Sequence, residues 1–113
     1  MTSQTELIER IRGLLAGESV MREVSMFGGR SFMVNDKMIV SALKSGALLV
    51  RVAADQHEEL LGRPGAAQAE MGAGRDMGPG WIEVDAASIS DGGNLSSWLE
   101  IALAHNRTVT GTP

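Results

Sequence analysis

Two histidines, His57 and His105, are the side chains best suited to acid–base work near neutral pH. His57 sits among Asp55, Gln56, Glu58 and Glu59. Adjacent residues on a helix point in different directions, so His57 and Glu58 do not make a metal-ligand pair. Both histidines are expected on the surface, His105 near a helix C-terminus where the dipole favours a cation. The serines offer no nucleophile, since no Gly-x-Ser-x-Gly elbow occurs. Glu83 and Asp85 share one face of a strand, a spacing open to paired-carboxylate chemistry, but the alternating Ile82 and Val84 turn both carboxylates outward. With no Cys in 113 residues, disulfides, thiolate zinc sites, iron–sulfur clusters and cysteine nucleophiles are excluded. These residues predict no enzyme, no catalytic residue, no cofactor and no metal centre.

The glycine clusters invite a phosphate reading and fail it. Met26-Phe27-Gly28-Gly29-Arg30 lacks Gly-x-Gly-x-x-Gly spacing and leads into a strand, so no helix N-terminus stands ready for an anion; it reads as a turn. The stretch between Gly72 and Gly80 carries no Lys and no Walker spacing. It reads as a loop crossing the sheet, with Met77 tucked toward the core, and as the border of a ligand or partner surface. Met26, Met33 and Met38 lie in apolar strands and are expected to fill the core. Trp81 and Trp98 are expected to anchor a strand and the last helix against each other, each indole N–H requiring an acceptor. The candidate interaction surface is Phe27, Gly28, Gly29, Arg30, Arg51, Arg75, Met77 and Trp81.

The elements that would position these groups follow from periodicity. Ser3-x-x-Glu6 is a capping box, and Leu7, Ile8, Ile11, Leu14 and Leu15 repeat at helical spacing, predicting a helix over 3–16 that stops at Gly17. Strands are predicted over 20–26, 31–34, 38–43 and 48–52. Asn35-Asp36-Lys37 is a hairpin turn, because Asn and Asp tolerate the left-handed region. Connections this short force an antiparallel meander. Asp55-x-x-Glu58 starts a short helix through Leu60 and Leu61, ended by Gly62, Pro64 and Gly65. Residues 66–80 show no sustained period, 81–85 alternate as a strand, and a last helix is predicted over 93–105, with a frayed tail over 106–113. The expected fold is one α+β domain of two layers, an antiparallel sheet of about five strands with helices packed on one face.

Charge bounds the partners. Ten Lys and Arg oppose 14 Asp and Glu, for a net charge of −4. The cations are spread: residues 1–30 carry four positive and four negative charges, 31–60 three and four, and 61–113 three and six. Folding could gather Arg22, Arg30, Arg51 and Arg75, but four phosphate contacts would give a salt slope of about −3.6, too weak for duplex DNA at physiological salt. Nucleic-acid binding by the isolated domain is not expected. No signal-peptide or membrane-helix pattern occurs, so a cytoplasmic location without membrane contact is expected. Charged guards inside the first four strands are few (Arg22, Glu23 and Arg51), so a homodimer through a sheet edge or face is expected.

Met26-Phe27-Gly28-Gly29, Phe32-Met33-Val34-Asn35, Met38, Val50-Arg51, Pro64-Gly65, Arg75-x-Met77, Gly80-Trp81 and Leu95-x-x-Trp98 occur in this order over nearly the whole chain. The series resembles the N-terminal domain of the TfoX/Sxy family of competence regulators. That resemblance implies a small α+β domain with a regulatory role exerted through protein contacts. The alternatives are a nucleic-acid-associated transcriptional module and a small-molecule-binding protein using the Gly72 to Gly80 loop. Full-length regulators of this family carry a second, helical domain, whereas this sequence stops at Pro113. Asp36 and Met77-Gly78-Pro79-Gly80 depart from the Gly and the basic residue common in the family.

Overall fold

A computed structural model describes residues 3–18, 21–26, 29–70, 75–90 and 92–111. Helix α1 (Ser3–Leu14) lays Leu7 and Ile11 into the core, followed by Leu15 in the turn beyond it. The capping oxygen expected from Ser3 lies outside the described side chains. Strands β1 (Met21–Met26), β2 (Gly29–Val34), β3 (Lys37–Leu43) and β4 (Leu48–Arg51) form the expected meander. A 3-10 turn, Ala54–Gln56, then leads into α2 (His57–Leu61), β5 (Ala66–Gln68), β6 (Trp81–Val84) and α3 (Gly92–Thr110). The antiparallel sheet has the order β1-β2-β3-β4-β6-β5.

Register explains the layering. Phe32, Val40, Val50 and Ile82 are successive cross-strand partners, and all four are buried. Cross-strand partners share a face, so this row makes the core side of the sheet. Leu7, Ile11, Leu95, Trp98, Leu99 and Ala102 pack on it from α1 and α3, with Leu60 and Leu61 of α2 at its margin. The helices thus occupy one face, as expected for α+β. Residues between the core positions, such as Met33, Arg51 and Trp81, belong to the other face.

Three local features depart from the sequence expectation or sharpen it. The sheet gains a sixth strand, β5, which extends β6 through Ala66↔Val84 and Gln68↔Ile82. Three residues are too few to display an alternation, so the sequence offered no period there. Helix α3 continues to Thr110 where a frayed tail was expected, and it ends at Gly111 with φ +70°. Asp55 does not cap α2: Gln56 occupies the cap position and makes no side-chain cap hydrogen bond.

The hairpin turn behaves as its composition requires. Asn35 and Asp36 take φ of 53° and 66°, the pair of left-handed residues that a type I′ turn needs. Just beyond it, Phe32 pairs with Val40 and Met33 with Met38, leaving Ile39 as the extra residue of a β-bulge. Ile39 and Val40 are consecutive yet both buried in the core. At the other end of β2, a Cβ on Gly29 would run into the Ala42 carbonyl, so only glycine lets the strands approach this closely.

Candidate functional site in the notch between β3 and β4

The bulge at Ile39 opens the sheet. β3 and β4 pair only through Val40↔Val50, Ser41↔Leu49 and Ala42↔Leu48, whereas β4 goes on to pair with β6 as far as Arg51↔Trp81. Lys37, Met38 and Ile39 therefore diverge from Arg51, and the gap is a pocket of about 270 Å³. Ala102, His105, Asn106 and Val109 of α3 complete its lining, with Trp81 beside Arg51. A 19-residue helix is about 28 Å long, more than the four-residue strands beneath it can cover, so the C-terminal half of α3 reaches past the paired sheet.

Asn106 fixes that half of α3. Its buried side-chain amide donates to the Val34 carbonyl at 2.8 Å, and its Oδ1 accepts from Asn35 Nδ2 at 3.2 Å. The helix is thereby tied to the hairpin turn. Thr108 and Thr110 hydroxyls donate to the carbonyls of Ala104 and Asn106 in the last turns. Val109 remains 53% exposed at the rim, one of the large apolar side chains left open to solvent.

Electrostatically the notch is cationic. The Arg51 guanidinium carbon lies 4.6 Å from the Trp81 ring centroid, within cation–π range. Neither Arg51 nor Lys37 has a carboxylate within ion-pair distance among the described residues, and no Asp or Glu lines the pocket. His105 is held below the usual histidine range, first by burial and then by the Arg51 charge, with Asp55 acting the other way. Its neutral form is thereby favoured.

A second histidine holds the wall. His57 is 6% exposed, not on the surface as its acidic neighbours suggested. The Gly80 amide donates to its Nδ1 at 2.8 Å, and Nε2 lies 2.8 Å from Gln68 Oε1. A backbone N–H can only donate, so the ring proton is on Nε2 and points at Gln68. Gln68 Nε2 in turn donates to the Gly78 carbonyl at 3.1 Å, and the Gly80 carbonyl accepts from Val52 N–H at 2.8 Å. Gly80 has φ +95°, and a Cβ there would meet Val52 O at 2.9 Å. The chain entering Trp81 is pinned on both sides.

The structure divides the candidate surface. Arg51 and Trp81 become direct partners at the notch. Gly29 and Arg30 lie at the opposite end of the sheet, and Arg30 pairs with core-facing Ala42, three residues and two strands away from Arg51. That is about 14 Å, with the two side chains on opposite faces. Arg75 is exposed, and Met77 is half-buried with its N–H donating to Ala69 O at 2.8 Å. Phe27, Gly28 and part of the loop after Gly72 lie outside the described residues.

The methionines and tryptophans are placed differently from expectation. Met33 and Met38 are half-buried, because each is out of phase with the core row; the Met26 side chain lies outside the described residues. Trp98 is fully buried under the Arg63 guanidinium at 4.8 Å, while Trp81 alternates to the other face and stacks with Arg51 instead. Among the described residues the Trp98 indole N–H has no acceptor, against the expectation that each would find one. Lys37, Met38, His105, Asn106 and Val109 were not singled out from the sequence. Ala102, Asn106 and Val109 do extend the i, i+3, i+4 rhythm of Leu95, Trp98 and Leu99, which was the available signal.

Among the described residues no cluster of three or more His, Asp or Glu is arranged to hold a metal, and no helix is long and apolar enough to cross a membrane. A comparison with curated proteins gives no match. The family model of the TfoX N-terminal domain matches residues 14–106, which takes in the whole sheet and most of α3, Arg51, Trp81 and His105 included. The chain belongs to the TfoX N-terminal domain family.

Proposed function

We propose that this protein is a non-enzymatic regulatory domain that works by protein contact, with the notch as its recognition surface. The observation that carries the reading is the Arg51–Trp81 stack at the mouth of the notch, flanked by half-buried Met38 and exposed Val109. Trp and Arg are the residues most enriched among side chains that dominate binding energy, and Met is enriched in interface cores. Here they stand together on a rigid support of paired strands. The partner is a protein whose contact patch sets apolar side chains and a carboxylate against this surface.

Site-specific photocrosslinking in cells tests the reading. A benzophenone side chain at Val109 is expected to form an adduct with a protein, and one at Leu14, also exposed but on α1, is not. Arg51→Glu should abolish the adduct from position 109 by reversing the charge. Equal adducts from both positions, or an adduct that survives Arg51→Glu, would remove the notch from the function.

A further inference from the structure

The cavity has a chemistry of its own that a protein surface does not require. At about 270 Å³ it is near the small end of ligand pockets and matches a molecule of one ring with one or two substituents. Its charges are Arg51 and Lys37, with no carboxylate within ion-pair distance of either among the described residues. This is against the trend of a chain of net charge −4. His105, whose neutral form is favoured by burial and by the Arg51 charge, adds a hydrogen-bonding ring nitrogen. The Asn106 amide in the lining is bonded to Val34 O and to Asn35, and the other lining residues are apolar or aromatic: Met38, Ile39, Ala102, Val109 and the Trp81 indole.

We infer that the notch binds a small organic monoanion, a carboxylate carried on a planar apolar ring. The carboxylate meets the guanidinium fork of Arg51, with Lys37 at the rim, and the ring lies along Met38, Ile39 and Val109. A planar fork matches a carboxylate in two parallel hydrogen bonds, and a guanidinium is cheaper to desolvate than an ammonium. The fork alone balances a single negative charge, while the exposed Lys37 ammonium stays in water at the rim. A phosphate dianion would need further donors that this mostly apolar lining does not provide. The inference goes beyond the protein-contact reading and does not rest on it; such a ligand and a partner protein would compete for Arg51 and Trp81.

Titration of the isotope-labelled full chain by two-dimensional NMR tests it, with benzoate as the probe, benzamide as its neutral counterpart and inorganic phosphate as a bare anion. Benzoate is expected to give saturable shifts at Arg51, the Trp81 indole and His105, with a Kd on the order of 1 mM for about nine non-hydrogen atoms. Benzamide and phosphate should each bind at least about tenfold more weakly. Arg51→Ala should weaken benzoate about tenfold, and Lys37→Gln, at an exposed position that perturbs no core contact, about threefold. Benzamide or phosphate matching benzoate, shifts centred elsewhere, or no saturable shift would overturn the site. Benzoate binding without a protein adduct from Val109 would instead leave the site standing and remove the protein-contact reading.

Discussion

His57 shows how one side chain can set the position of a loop. Its Nδ1 accepts the buried Gly80 amide and its Nε2 donates to Gln68, which holds the Gly78 carbonyl. Removing the ring leaves a buried N–H without its acceptor, a loss of about 1–3 kcal/mol for the amide. His57→Ala is therefore expected to lower stability by about 2–3 kcal/mol in urea unfolding and to shift the Trp81 indole resonance. A change below about 0.5 kcal/mol would show the contact to be incidental. His105 makes a different prediction. Burial and Arg51 lower its proton affinity in the fold, so on acidification the unfolded chain binds the proton first. Stability then falls as pH drops below about 6.5. Between pH 7.5 and 5.5 the urea midpoint of the native protein should fall more than that of His105→Gln. Equal falls would exclude the coupling. Glu23 acts lower on the scale: hydrogen bonds from Arg12 hold its carboxyl below the usual range, so its contribution is lost only as pH falls through that depressed value.

At the scale of elements, the site depends on how α3 is docked. Leu95, Trp98, Leu99 and Ala102 bind its first half to the core, whereas Asn106 alone among the buried α3 residues is polar. Its two hydrogen bonds to the β2–β3 hairpin place His105 and Val109 over the gap that the Ile39 bulge opens. Asn106→Ala deletes both and leaves the Val34 carbonyl buried. The expected loss is about 1–3 kcal/mol, with amide exchange across 103–110 accelerated and the first half of the helix still protected. Unchanged exchange in the last turns would mean that Thr108, Thr110 and the helix itself suffice. This residue was legible only as part of a rhythm. An Asn on an apolar stripe breaks the hydrophobic pattern, so the helix was expected to end at His105, one residue before the contact that extends it.

For the whole molecule, charge placement bears on which partners to test. Arg12 pairs with Glu9 and Glu23, Arg22 approaches Asp36, and Arg107 approaches Glu18. Arg30 and Arg51 sit at opposite ends and on opposite faces of the sheet. These two are therefore not gathered into one phosphate-binding patch, and the expected outcome is no measurable DNA binding at about 150 mM salt. Micromolar affinity in an anisotropy titration, lost on Arg30→Ala or Arg51→Ala, would reverse that. The sheet has two outer strands of unequal length, six residues in β1 and three in β5. Glu23 at the β1 edge is engaged by Arg12, and the Arg22–Asp36 approach is solvent-exposed and weak at 3.8 Å. We propose that β1 pairs with β1 of a second copy, and light scattering at high micromolar concentration should give a dimer mass. A monomer mass there would sink the proposal.

Local and periodic features were legible without coordinates. The type I′ turn was readable at Asn35-Asp36 because a left-handed backbone selects those residues, and the core strands were readable because alternation reports a buried face. The family was readable because its residues occur in one order along most of the chain. The notch was not. It exists because Ile39 has no partner in β2, which is a property of two strands in register. His57 looked solvated among Asp55, Glu58 and Glu59, because the groups that bury and bond it, Gln68 and Gly80, lie 11 and 23 residues away. Arg51 and Trp81 are 30 residues apart in sequence and stack only because β6 crosses back beside β4. Period along a strand or helix indicates the apolar row that turns inward; which distant side chains meet, and where a bulge shifts that row, is settled by strand order and register.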